Sequence, residues 1–249
     1  MREIAQPTAA LIVLGGTIGA TLVGCPFRLV LAGCRQLAGL IFEEHADREA
    51  ALRQIIDFAT KARRSGIVSL EKEALALPDP FLRKALTLAV DGTEPQEIRR
   101  MMEIEIVLQE SRREDEARIF EAAGGYAPTI GIIGAVLGLI QVMKHLENIE
   151  EVGKGIAVAF VATIYGVGIA NLVLLPAAAK IKAKAQEHVK ILELTLEGVI
   201  GLAEGLNPKL IQSKLEAYLD RPPATAAAAP KPAPATAAPA AESGPASTT

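Results

Sequence analysis

Tryptophan is absent from this 249-residue sequence, aromatic residues make up 4% of it, and there are only two cysteines. So few aromatics argue against an aromatic-rich β-sandwich, while half of the residues are hydrophobic, which suits aliphatic helices. Cys25 and Cys34 lie in an apolar region, roughly 13 Å apart if the intervening chain is helical. That separation excludes a disulfide and leaves both as small packing residues. A strong basic field is missing too: the net charge is −3, which gives no pointer to nucleic acid. His45, His145 and His188 are scattered and have no partners at metal-ligand spacing, and no nucleophile–base pair stands out. Neither a metal site nor a catalytic residue is expected. The motif GGTIG (15–19) lacks a βαβ context and is not read as a nucleotide loop.

Charge is also missing locally. No charged residue occurs in 4–27, 122–143 or 155–179. A bilayer-spanning helix needs about 20 apolar residues, so each stretch is long enough to cross. Fifteen Lys and Arg lie between Arg28 and Arg118, against only Lys144 and Lys154 in the link between the last two spans. The positive-inside rule places 28–121 and the C-terminus in the cytoplasm, and the N-terminus and the 144–154 turn on the other side. LVGC (22–25) and LAGC (31–34) resemble lipoprotein cleavage sites. The leader MRE has no net positive charge, however, and Arg28 interrupts the run before Cys34, so a multi-pass membrane protein is expected instead.

What is present between the spans is helical. In 43–64, Leu52, Ile55, Ile56 and Ala59 fall at helical spacing with charges elsewhere. SGIVS (65–69) breaks that pattern. Asp79 suits a helix N-cap, Pro80 the first helical position and Gly92 the stop. Thr93 and Gln96 form a capping box opening another helix, which is expected to continue into the charge-free stretch 122–143. No strand pattern of any length appears. The fold class is therefore all-α: a multi-pass helical membrane protein with a helical cytoplasmic domain over 28–121 and a helical tail over 180–221. From 222 to 249 the chain is almost only Ala, Pro, Thr and Ser and is expected to be disordered.

The spans themselves are built from small residues. Gly15/Gly19 and Gly134/Gly138 are small-xxx-small pairs, which let helix backbones approach closely. Ion pathways in membranes ordinarily use an Asp, Glu or His. None occurs in these stretches, whose polar groups include Thr17, Thr21, Tyr126, Thr163 and Asn171. If the protein moves ions, the titrating carboxylate must belong to another chain.

Four blocks, QPTAALIVLGGTIGAT (6–21), ARRSGIVSLEKEA (62–74), YAPTIGIIGAVLGLI (126–140) and AVAFVATIYGVGIANLVLLPAAAK (157–180), occur in an order that resembles the MotA/PomA family of flagellar stator proteins. The resemblance implies a ring, expected to be a pentamer, around a MotB-type partner that anchors to peptidoglycan and supplies the membrane aspartate. It implies residence in the bacterial inner membrane, ion flow, and movement against the rotor switch protein FliG. It implies no enzymatic activity and no cofactor beyond the transported ion. Family positions around the G-x-x-S-L-E turn map onto Arg63 before it and Glu71 at its end as rotor contacts, with Arg64 and Lys61 on the same surface. Pro128, Pro176, Thr163 and Tyr126 fall in the matching ion-path helices. Where sodium-driven members tend to have threonine, this sequence has Ala135, which points to protons.

The sequence begins just before the family's second span, so the first is expected to be missing, through a late start or a truncation. One span, a charged stretch of about ninety residues and two more spans is also the layout of ExbB/TolQ proteins. That leaves an ion-driven subunit of an envelope energy-transducing complex as the alternative, and a non-conducting membrane scaffold as a third class.

Overall fold

Proline and glycine set most of the helix boundaries. The computed structural model describes residues 6–41, 48–144 and 146–219. The 222–249 tail, His45 and His145 lie outside the described residues. Helix α1 (Pro7–Gly24) opens on its proline and stops before Cys25-Pro26, and α2 (Phe27–Ile41) follows at once. Helix α3 (Arg48–Ser65) ends at Gly66, whose φ of 82° only glycine adopts readily, and a 3-10 turn (Ile67–Leu70) leads into α4 (Glu71–Ala76). Helix α5 (Pro80–Val90) is capped by Asp79, whose carboxylate accepts from the Phe81 amide at 2.9 Å.

Helix α6 (Pro95–Lys144) is a single 50-residue rod that continues from the charged segment into the apolar one. It starts one residue later than the Thr93 capping box predicts. The Glu94 carbonyl accepts the first helical bond, from Ile98 at 3.0 Å, because Pro95 has no N–H to offer and fits the first helical position. After a short turn, Asn148 caps α7 (Ile149–Ile169), so residues 149–154 are already helical rather than part of the 144–154 link. A π-turn (Ala170–Leu174) joins α7 to α8 (Leu175–Ala203) without a break, making a second rod of 55 residues. Helix α9 (Pro208–Leu215) and a 3-10 turn (Glu216–Leu219) complete the described chain.

Three of these helices, α1, α6 and the α7–α8 rod, are long and apolar enough to cross a membrane. Helices α1, α7 and the second half of α6 pack as one bundle, with Ala9, Val13, Val161 and Ala162 buried between them. The first half of α6 and the end of α8 project beyond the bundle and pack with α3, α4, α5 and α9 into a lobe. Its core holds Ile55, Phe58, Leu86, Ile98, Met102, Leu194, Ile211 and Leu215. Leu52 and Ile56 pack partly buried against that core, as the α3 periodicity predicts. Between bundle and lobe, Ala117 and Phe120 of α6 meet Ala178 and Ile181 of α8. Helix α2 stays out of the lobe and lies along α6, with Gly33 against Ile119 and Phe120.

Candidate functional site

The bundle is held by places where a side chain would not fit. A Cβ on Gly131 of α6 would lie 2.9 Å from the Ala162 carbonyl oxygen of α7, and one on Gly166 would lie 2.5 Å from that of Ala127. One on Gly138 would lie 3.1 Å from both the Ala159 nitrogen and the Gly155 oxygen. Backbones therefore touch along the whole α6–α7 crossing, with Gly134 against Ala162 and Ile12. Of the two sequence-predicted glycine pairs, Gly134/Gly138 lies in this contact. Gly15 and Gly19 do not: both are exposed, with nothing within 4 Å of an added Cβ. The inner face of α1 is instead Ala9, Val13, Thr17 and Thr21. The Thr17 and Thr21 hydroxyls donate to carbonyls one turn back, at 2.6 and 2.7 Å, so both enter an apolar interface without an unpaired donor.

The ion-path candidates gather near the same crossing. Thr163 is half-buried, its Cα 3.4 Å from a Cβ placed on Gly131, and its hydroxyl donates weakly to the Ala159 carbonyl at 3.3 Å. Ala135 is half-buried one turn along α6, and Tyr126 lies near Gly24 of α1. Pro128 sits inside α6 without ending it. With no N–H there, the Gly124 carbonyl lacks its usual helical donor. Gly124 also packs beside the second proline's neighbour: a Cβ on it would lie 2.7 Å from the side chain of Leu175, the residue before Pro176.

Pro176 is exposed and does not end its helix. Its ring crowds the carbonyl four residues back, and the helix widens there: the Leu175 N–H reaches the Ala170 carbonyl five residues away. This π-turn has no clear sequence signal beyond the proline after it. The α6–α7 crossing was more legible, since Gly155, Ala159, Ala162 and Gly166 recur on one helical face, a stripe that the two glycine pairs alone overlook.

At the far end of the lobe, the rotor-contact candidates occupy the turn from α3 to α4. Arg63 and Arg64 lie in the last turn of α3 and Glu71 in the first turn of α4, each charge complementing the partial charge of its helix end. All three are exposed and make no ion pair with a described residue. Lys61 differs: its ammonium donates to the Glu73 carboxylate at 2.8 Å, and that bond raises its pKa. Arg63 also lines a cavity of about 410 Å³ with Ile67, Gly92, Glu94 and Leu206. Behind this surface, Glu197 of α8 pairs with Arg99 of α6 and Lys214 of α9. Burial pushes the Glu197 carboxyl up, but the bonds from Arg99 and Lys214 outweigh it and hold it below the usual carboxylate range. The triad ties three helices of the lobe together around the largely buried Glu197 and was not anticipated from sequence.

Long continuous helices, a glycine-lined bundle with no acidic side chain in its apolar stretches, and a helical lobe define an all-α, multi-pass membrane protein. Residues 73–194 match the MotA/TolQ/ExbB proton channel family. The chain is 37% identical to motility protein A of Bacillus subtilis (strain 168) over 220 residues, covering 87% of this chain and 80% of that protein. This protein belongs to the MotA/TolQ/ExbB family, on its motility protein A side. Two solved structures are close in fold. The C. jejuni MotAB structure has a TM-score of 0.83 at 31% identity, covering 88% of this chain and 87% of that one. The Bacillus subtilis flagellar MotAB stator complex has a TM-score of 0.79 at 37% identity, covering 87% and 86%.

Proposed function

We propose that this chain is the membrane subunit of a flagellar motor stator. With a MotB-type partner it forms an ion-conducting complex and turns ion flow into torque on the rotor. The observation that carries the reading is a bundle whose α6–α7 contacts are backbone to backbone and whose three apolar stretches contain no acidic side chain or histidine. Such a bundle can move as a unit against a neighbour but cannot by itself carry a proton on a side chain. The membrane aspartate comes from the partner. Protons are the ion: Ala135 offers no oxygen where a hydroxyl would help hold a dehydrated sodium ion.

Protonation of the partner's carboxylate changes which arrangement of the bundle is favoured, the two-state shift that such a motor needs. Pro128 and the π-turn before Pro176 meet at the Gly124–Leu175 contact, so a bend there tilts both rods together. The rods run unbroken into the lobe and carry the tilt to Arg63, Arg64 and Glu71, which face FliG. The lobe is read as lying on the cytoplasmic side of the inner membrane, a reading supported by its many lysines and arginines against only two in the 144–154 link. Self-association into a ring, a pentamer, uses in part an apolar stripe on the lobe segment of α6. There Met101, Ile104, Val107 and Leu108 are all exposed.

The test is expression with its MotB-type partner in a strain lacking its own stator. Swimming should be restored. Arg63→Glu and Glu71→Lys should each abolish or strongly reduce it while membrane level and helical content stay unchanged. Failure to swim despite verified insertion and partner binding would overturn the reading, and unimpaired swimming of both reversed variants would remove the rotor assignment.

A further inference from the structure

A cavity of about 410 Å³ opens between α2 and α6, lined by Arg28, Leu31, Ala32, Arg35 and Glu116. It lies where α1, an apolar rod, gives way to the amphipathic α2 at the Cys25-Pro26 break. Arg28 and Arg35 are two turns apart on one face of α2 and exposed, and neither pairs with a described carboxylate. Phe27 and Leu31 beside them are 68% and 56% exposed, which suits insertion at the boundary between headgroups and acyl chains. The third polar lining residue is less usual: the Glu116 Oε2 atom is buried and has no hydrogen-bond partner among the described residues.

A carboxylate with a buried, donorless oxygen is unfavourable, and Glu116 lines the cavity, so a group held there that donates to this carboxylate relieves it. Two guanidiniums on the opposite wall call for a phosphate, which arginine binds in a planar, multiply bonded fashion. Two headgroups carry both, and of these serine adds a second carboxylate beside Glu116. A glycerol or cardiolipin headgroup brings the phosphate but adds net negative charge beside Glu116. A choline headgroup brings a cation with no N–H to donate. Ethanolamine supplies a phosphodiester at one end and an ammonium with three donors at the other. We propose that the α2–α6 cavity binds the headgroup of phosphatidylethanolamine from the surrounding leaflet, with Arg28 and Arg35 on the phosphodiester and Glu116 accepting from the ammonium. The assignment rests on the membrane placement given above. It would fix α2 to the bilayer surface and, through Glu116, give the lipid a hold on the rod that links bundle and lobe.

Native mass spectrometry of the full-length protein in non-ionic detergent tests this, with phosphatidylethanolamine, phosphatidylcholine and phosphatidylglycerol added at equal concentration. The wild type should retain the ethanolamine lipid roughly tenfold over the other two, the worth of one charge-assisted hydrogen bond. Glu116→Gln should remove that preference while leaving phospholipid retention in place. Arg28→Gln with Arg35→Gln should weaken all three. Ala32→Trp fills the cavity without altering charge and should also lose the ethanolamine lipid, which keeps the test independent of any folding defect in the charge variants. No preference in the wild type, or a preference that survives Ala32→Trp, would overturn the site. So would displacement of the lipid by soluble phosphoethanolamine at equal concentration, which would make the ligand a free metabolite. Extraction of the protein from membranes by alkaline carbonate would overturn the membrane placement itself; firm retention without lipid preference would overturn only the site.

Discussion

In the lobe, the buried positions are Ile55, Leu86, Ile98, Met102 and Leu194, and the surface carries paired charges such as Lys84–Glu105 and Lys61–Glu73. In the bundle the order is reversed. Ala, Gly, Val and Thr are buried, while Leu11, Ile133, Leu137, Ile140, Phe160 and Ile164 are turned outward, each close to half exposed or more. The same two rods, α6 and α7–α8, take part in both regions, so the difference cannot come from helix type. It comes from the solvent each half is made for. Water drives large aliphatic side chains together, whereas lipid is as apolar as leucine and leaves close backbone packing as the main attraction between helices.

The sharpest way to break the comparison is to truncate one large side chain in each half. Leu194→Ala should destabilise the lobe by about 3 kcal/mol in denaturant titrations, because a fully buried leucine leaves a cavity. Leu137→Ala, with 49% of its surface exposed in the bundle, should change stability in a lipid nanodisc by less than about 1 kcal/mol. Equal losses would show that the outward leucines are packed against protein rather than lipid.

Adding volume should give the opposite ranking. Gly166→Ala would force its methyl toward the Ala127 carbonyl, and separating the two helices should cost about 1–3 kcal/mol, with loss of swimming. Gly15→Ala meets open space and should be neutral or slightly stabilising for the monomer, since alanine is the better helix former. If Gly15→Ala nevertheless disrupts the proposed ring, the outer face of α1 is a contact between chains.

The smallest effect concerns pH and should appear in the lobe alone. His188 on α8 is half-buried, its Nε2 3.4 Å from Gln109 Oε1 on α6. It also faces Arg113 on α6 and Asp79 at the start of α5. Burial first and Arg113 second lower its pKa, against a smaller opposing pull from Asp79. A folded-state pKa below the unfolded one contributes stability above about pH 6.5 that is lost as pH falls through the folded value. Thermal melts should therefore show a shallow loss of lobe stability in mildly acidic buffer, flattened in His188→Gln. A slope that persists unchanged in that variant would assign it to other groups.

Much of this was readable in the residues. Charge-free stretches and their flanking arginines marked the spans, Asp79-Pro80 and Gly92 marked a helix with its ends, and the absence of any acidic residue in the spans pointed to a second chain. Gly15/Gly19 make no contact within the chain, because spacing identifies a face on which helices can approach but not whether the approach is made within the chain. The Arg99–Glu197–Lys214 triad was out of reach for a related reason: its members are 98 and 17 residues apart from Glu197, and nothing local links them.

The sequence by itself determined which segments are helical and which of those suit lipid, since periodicity, caps and hydropathy act over a few turns. It also determined that the three charge-free stretches hold no acidic residue and no histidine. Only the tertiary structure decided which glycines touch, that Pro176 is absorbed by a π-turn rather than ending a helix, and that Glu116 lines one cavity with Arg28 and Arg35. Those outcomes depend on how two rigid rods of 50 and 55 residues lie against each other. A small rotation of either about its axis exchanges one face for another without altering any local preference.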